Sequence, residues 1–199
     1  MILTENAIVP ALALPIAAFR AHLRLGTGFA DDTLQDGLLE STLRAAIAMI
    51  EGRIGKMLIA RRFLWKIEDW RTGSEQALPV APVTAVVSVT LVDSADVSTV
   101  VDPARYKLVQ DTHRPKLVAT GAALPLVPMA GRADVVFDAG FGAAWAAVPA
   151  DLAQAVLLLA AEYYEHRNET GVRDGGLPFG VVTLIERWRT VRVLGGGAA

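Results

Sequence analysis

The chain contains no cysteine among its 199 residues. This absence excludes a disulfide framework, a thiolate metal site and a cysteine nucleophile, and it fits a cytoplasmic origin. Basic residues are not in excess either, because 19 lysines and arginines stand against 21 aspartates and glutamates, for a net charge of −2. A chain of this charge lacks the broad basic footprint that non-specific nucleic-acid binding requires.

Uninterrupted apolar runs of membrane-spanning length are also missing. Asp151 and Gln154 interrupt the best candidate, and the apolar N-terminus lacks a basic region and is broken by Glu5, Pro10 and Pro15. We therefore expect a soluble protein with no membrane partner. The chain is nevertheless 53% apolar with a mean hydropathy of +0.39. Surplus apolar residues in a chain of this size favour self-association.

The three histidines do not form a recognisable metal site. Glu162, His166 and Glu169 share one helical face at i, i+4 and i+7, but a carboxylate-bridged metal site needs a matching Glu-x-x-His helix, and the sequence has none. His22 has no acidic residue within one turn. The interpretation is a solvated helix end, with no metal and no cofactor.

Motifs for nucleophilic catalysis and nucleotide binding are absent too. No serine lies in a G-x-S-x-G sequence, GFG at 140–142 does not extend to G-x-G-x-x-G, and GRIGK at 52–56 lacks the P-loop spacing. The sequence therefore predicts no catalytic residue and no enzyme. An enzyme or small-ligand module whose polar residues meet only in the folded chain is an alternative.

Apolar residues at helical spacing predict helices at both ends of the chain. A short helix is expected from Pro15 to Gly26, and a longer one begins at Asp32. Its apolar stripe consists of Leu39, Leu43, Ala46, Ile50, Ile54 and Met57. Another helix is predicted between Pro149 and Gly171, with a length of roughly 30 Å. Its residues 152–161 are apolar nearly all round, which favours burial against a neighbouring subunit.

Between the helices, apolar residues recur at every second position, which is typical of strands. Strands separated by turns are predicted in residues 61–70, 83–92, 97–101, 106–110, 115–120 and 132–141, and the proline-punctuated segment LPVAPVTAV is expected at a sheet edge. The order favours an α+β fold, a bundle of three to four helices with an inserted small antiparallel β unit. The predicted boundaries are N-terminal helices in 1–60, the β unit in 61–141, the long C-terminal helix, packing on the N-terminal helices, in 142–177, and an arm with a flexible tail in 178–199.

The order of motifs along the chain resembles the head–tail connector proteins of tailed bacteriophages. These motifs are AHLRL, then DD and LQDGLLE, then LPVAPVTAVVSVT, DPARYKL, DVVFDAGFG, VPADLAQAVLLLAAEYYEHRNETG and LPFGVVTLIERWRTVRV. The similarity spans residues 15–193. Within the connectors, the chain most resembles the adaptor of gene transfer agents, the virus-like particles of alphaproteobacteria.

This resemblance implies an adaptor ring, expected to be a dodecamer, that is assembled in the bacterial cytoplasm and located at the particle neck. The expected partners are further copies of the chain, the portal protein above, a stopper or connector on the tail side, and DNA that passes through the lumen without sequence-specific binding. A mildly acidic chain fits such passage, because a basic lumen would retain phosphates.

The resemblance also implies that residues 179–193 contact the portal, and tryptophan and arginine are favoured at such contacts. The candidate residues for portal or subunit contact are Phe179, Leu184, Trp188, Arg189, Arg192, Tyr163 and Tyr164. Tyr163 and Tyr164 are expected where the apolar helix meets its polar end. A stopper or tail-terminator is an alternative connector role.

Overall fold

The computed structural model describes residues 1–25, 32–167 and 176–189, and of residues 32–34 the backbone only. The described part of the chain contains helices α1 to α4 and strands β1 to β8. The helices are α1 (Ile16–His22), α2 (Asp32–Ile54), α3 (Ala150–Glu165) and α4 (Phe179–Ile185). The strands are β1 (Ile2–Glu5), β2 (Arg61–Ile67), β3 (Glu75–Ala77), β4 (Val83–Val92), β5 (Ser98–Val100), β6 (Tyr106–Val109), β7 (Lys116–Ala119) and β8 (Arg132–Ala139).

The helices pack on one another around one apolar core. The predicted stripe from Leu39 to Ile54 supplies one side of this core, with Leu39, Leu43 and Ile50 fully buried. Met57, the last predicted member, lies beyond the end of α2 and packs with apolar residues of the strands instead. The opposite side comes from α3, which begins after Pro149 and buries Leu152, Ala155, Val156, Leu159 and Ala160. Helical periodicity places these residues on one face, so their burial stabilises the pair.

The strands form two antiparallel sheets. The larger sheet has the order β1-β2-β8-β4-β5, and the smaller one has the order β3-β7-β6. Strand β8 alternates strictly between half-buried and buried residues, as expected when one face of a sheet covers a core. A second apolar cluster lies between the sheets and includes Phe63, Trp65 and Phe137, with the Phe63 and Phe137 rings stacked at 5.6 Å.

The chain leaves the helical layer and returns to it at adjacent points. Ile59 forms a bridge with Gly142, and the Ala60 N–H donates to the Gly142 carbonyl at 2.8 Å. Gly140 has a φ of +138°, and a Cβ there would lie 2.4 Å from Ala60 Cα. Only glycine tolerates this backbone conformation at such a close approach.

The predicted α+β class is confirmed, and β4 has the predicted bounds of 83–92. The segment LPVAPVTAV ends in the first residues of β4, 83–86, which pair with β8 on one side, whereas β5 pairs only with residues 90–92. In the part of the chain that the structure describes, no strand pairs with 83–86 on the other side, as expected for a sheet edge. Strands β1 and β3 were not predicted. All four residues of β1 are exposed, so its sequence has no alternation of apolar and polar residues that would indicate a strand. The domain boundaries stay a prediction. No helix in the described ranges is long and apolar enough to cross a membrane.

Candidate functional site

The predicted contact residues of the C-terminal segment lie on and beyond α4, which packs against α3. Val181 and Ile185 are fully buried in the helical core, whereas Phe179, at the first position of α4, is 86% exposed. Leu184 is half-buried against the same core. This helix therefore belongs to the folded core and presents one large aromatic ring to solvent.

Trp188 fastens the end of α4 to the start of α3. Its indole Nε1–H donates to Asp151 Oδ2 at 2.8 Å, and its ring meets Phe141 edge-on with centroids 5.4 Å apart. Arg187 also pairs with Asp151 at 2.8 Å, and its guanidinium lies 4.7 Å from the centre of the Trp188 ring. The indole N–H is thus hydrogen-bonded within the subunit. Half-buried Trp188 exposes less surface for contact with a partner protein than Phe179 does.

The two tyrosines lie near the C-terminal end of α3 and are half-buried. Tyr164 meets Phe19 of α1 edge-on at 6.5 Å, and the Arg167 guanidinium lies 4.5 Å from its ring centre. Burial raises the pKa of Tyr163, so its hydroxyl stays protonated at neutral pH. Both rings therefore complete the helical core, and the protonated Tyr163 phenol is not suited to act as a base.

The remaining candidates were a possible metal cluster and two arginines. His166 lies 3.6 Å from Glu162 on α3, while Glu169 lies outside the described residues. Within the described ranges, no group of three or more His, Asp or Glu residues could hold a metal ion. Arg189 pairs with Glu186 at 3.0 Å, and Arg192 lies outside the described residues.

A buried ionic network joins three elements of the fold and was not predicted from the sequence. The Arg61 guanidinium pairs with Glu51 at 2.7 Å and with Glu5 at 2.8 Å, and the Arg61 and Glu51 side chains are only 7% and 6% exposed. Glu51 also accepts the Leu58 N–H at 2.7 Å. Burial alone would lower the pKa of Arg61, but the hydrogen bonds and charges of both carboxylates raise it. The network ties β1, α2 and β2 together.

Lys56 is a second buried charged residue that sequence reasoning missed. Its side chain is fully buried at the end of α2, and burial lowers its pKa, although the charge of Asp111 partly opposes this shift. Lys56 immediately follows Gly55, and its backbone forms a bridge with Ala81. Neither spacing nor composition marks it, because burial of a lysine depends on contacts between distant segments.

Solved structures similar to this chain come from gene transfer agent (GTA) particles. One is from the "Neck of empty GTA particle computed with C6 symmetry", at 57% identity and a TM-score of 0.90. Another is from the "Virion of native gene transfer agent (GTA) particle", at 56% identity and a TM-score of 0.87. A third is from the "Neck of native GTA particle computed with C12 symmetry", at 52% identity and a TM-score of 0.85. Each alignment covers 98% of this chain and 99% of the matched chain. No protein-family model and no curated protein sequence matches the chain.

Proposed function

Because the chain belongs to the neck proteins of gene transfer agent particles, we propose that it is the adaptor of such a particle. It is a structural component of the particle neck. In the adaptor role it forms a ring beneath the portal, joins the capsid to the tail, and leaves a central channel for DNA. Assembly takes place in the bacterial cytoplasm.

A ring agrees with the symmetry of the related necks and with the surface of this chain. Two of the similar chains come from necks computed with C6 and C12 symmetry, and we propose twelve copies here. Large apolar side chains are exposed on the single chain, among them Ile8 at 81% and Leu12 at 101%. Such exposure is costly unless an assembly covers part of it.

The observation that carries the portal contact is the position of Phe179. It is 86% exposed, yet it is fixed on a helix whose Val181 and Ile185 are buried. An exposed aromatic side chain on an anchored backbone loses little backbone entropy on binding, and aromatic residues are enriched in protein interfaces. Phe179 is therefore the residue of the predicted set best placed to enter a pocket on the portal.

Removal of residues 178–199 does not test this contact. The deletion takes away buried Val181 and Ile185 together with the anchor between Trp188 and Asp151. Loss of two buried aliphatic side chains costs several kcal/mol, so the truncated chain would fail for lack of stability. A substitution of an exposed residue separates binding from folding.

The test compares Phe179→Ser with Val97→Ser, a change at an exposed residue between β4 and β5. Binding is measured by co-sedimentation of the purified chain with portal-bearing heads that lack neck proteins, and the attached ring is examined by negative-stain electron microscopy. We expect Phe179→Ser to weaken binding at least about tenfold, because hot-spot losses exceed roughly 2 kcal/mol. Val97→Ser is expected to leave head binding unchanged.

Each other outcome has a defined meaning. Attachment of the unaltered chain to isolated tails but not to heads contradicts the adaptor role and favours a stopper or tail-terminator. Equal head binding by Phe179→Ser and the unaltered chain contradicts the portal contact at Phe179. Thermal unfolding of both variants near that of the unaltered chain is the control for folding.

A further inference from the structure

The loop between β7 and β8 holds two apolar side chains out in solvent. Leu126 is 86% exposed and Met129 is 94% exposed. Exposure of two such side chains from one loop is unfavourable in an isolated chain. We call Leu126 and Met129 the apolar knob.

This loop is anchored on both sides of each knob residue. The Trp70 Nε1–H donates to the Pro125 carbonyl at 2.7 Å, and the Leu124 N–H donates to the Gly73 carbonyl at 2.7 Å. Leu124 and Val127 are buried in the core between the sheets. At the far end, the Gly131 N–H donates to the Pro128 carbonyl at 2.9 Å. The loop is therefore pre-organised, which lowers the entropy that binding would cost.

An open cavity of about 310 Å³ lies elsewhere on the chain, where the N-terminal segment crosses α2. It shares no residue with the loop of the knob. The apolar part of its lining consists of Ile8, Val9, Leu14, Ile47, Ala48 and Met57. We call this cavity the socket. A cavity of ~150 Å³ admits benzene, so the socket has room for two side chains of four heavy atoms each.

The charged residues that line the socket are paired within the subunit. Arg61 pairs with Glu51 and Glu5, and Arg44 pairs with Glu40 and donates to the Val9 carbonyl at 2.9 Å. A partner that covers the mouth therefore has no need to supply a counter-charge. Residues 120–131 carry no charge. The uncharged knob therefore suits the socket better than an acidic or basic peptide would.

We propose that the knob of one subunit occupies the socket of the next subunit in the ring. This inference rests on the proposed ring, since a cyclic ring joins two different surfaces of the same chain head to tail. Knob and socket are two such surfaces, one protruding and one concave, and both are apolar at their centres. Insertion covers Leu126 and Met129 on one side and exposed Ile8 on the other.

The lack of cysteine in the chain permits a direct test with Met129→Cys and Ala48→Cys in one chain. Ala48 is exposed on α2 and lines the socket. Rings attached to portal-bearing heads are treated with a short bis-maleimide crosslinker and separated by denaturing electrophoresis. Head-to-tail contact gives a ladder of dimers, trimers and higher species. The control pair Val100→Cys with Ala48→Cys, at an exposed residue outside the knob, is expected to give none.

A second variant measures what the contact contributes. Leu126→Ser with Met129→Ser is expected to reduce ring formation on heads at least about tenfold, because hot-spot losses exceed roughly 2 kcal/mol. Its unfolding temperature should stay near that of the unaltered chain, since both residues are exposed. Unchanged ring formation by this variant overturns the inference.

The outcomes separate this inference from the proposed function. Heads that carry the Met129→Cys and Ala48→Cys chain but give no ladder overturn the knob contact and leave the adaptor role intact. Crosslinked dimers from Met129→Cys alone indicate a knob-to-knob contact and also overturn it. If the unaltered chain does not join heads, the adaptor role fails. The crosslinking experiment is then carried out on the concentrated purified chain. A ladder there supports the knob contact, and its absence overturns it.

Discussion

Replacement of Arg61 by methionine removes the cation at the joint between β1, α2 and β2. The guanidinium donates to both Glu51 oxygens, at 3.0 and 2.7 Å, to Glu5 at 2.8 Å, and to the Ile59 carbonyl at 3.3 Å. Methionine fills much of the same volume without a charge. The Glu51 carboxylate would keep the Leu58 N–H as a partner but would lie buried without a counter-charge.

The expected loss follows from the burial of this pair. Removal of one partner of a buried ion pair costs about 3–5 kcal/mol, and the Arg61 and Glu51 side chains are 7% and 6% exposed. For a chain of this length, each kcal/mol lowers the unfolding temperature by roughly 2–4 °C, so Arg61→Met should unfold about 6–20 °C lower. Glu51→Gln should lose less, about 1.5–3 kcal/mol, because its amide oxygen can still accept the Leu58 N–H.

A double-mutant cycle identifies the buried charge as the cause. Unfolding in urea is followed by tryptophan fluorescence for Arg61→Met, Glu51→Gln and the double variant. The double variant leaves no buried carboxylate, so its loss should be smaller than the sum of the single losses by at least about 1 kcal/mol. Arg62→Met is the matched control on the same strand, because its pair with Asp138 is exposed, and we expect little change.

Two results would refute this reasoning. Additive losses within about 0.5 kcal/mol would show that Arg61 and Glu51 do not act as a pair. A loss for Arg61→Met no larger than that of the Arg62→Met control would show that burial adds nothing to the interaction.

Two further predictions concern Lys56 and Gly140. Because the folded-state pKa of Lys56 lies below the ordinary value of 10.5, the unfolded chain binds more protons than the folded chain at pH values between the two pKa values. The unaltered chain should therefore gain stability relative to Lys56→Met as the pH rises toward 10.5. A difference in the free energy of unfolding that stays the same between about pH 7 and 10 would contradict this prediction. Gly140→Ala should cost at least about 3 kcal/mol, because its Cβ would meet the Ala60 backbone at 2.4 Å in a strained conformation. Gly121→Ala, with no atom within 4 Å of its Cβ, is the control, and equal urea midpoints for the two would contradict the steric argument.

The sequence was informative where a pattern is local. The β-branched run at 83–92 fixed β4, and the stripe from Leu39 to Ile54 identified the buried face of α2. The helix predicted as roughly 30 Å long is α3, whose 16 residues span about 24 Å. The family was recognised from the order of motifs over almost the whole chain, and the similarity to GTA neck structures confirms it.

What the sequence could not show depends on contacts between distant segments. Glu5 and Arg61 are 56 positions apart, and Trp188 and Asp151 are 37 apart. No spacing rule links such residues before the fold is known. Trp188 is an example, because the nearby arginines favoured a contact with a partner protein, whereas the indole N–H donates to Asp151 within the subunit. Its role in portal contact stays a prediction.

The adjacency of Ile59 and Gly142 has a consequence for how the chain folds. Helices α2 and α3 are packed together, but all strands from β2 to β8 lie between them in sequence. Their pairing therefore requires closure of a very long loop, unless the β unit has already drawn Ile59 and Gly142 together. Contacts of this separation slow folding, so we expect the helical core to form late and to depend on strand pairing that precedes it.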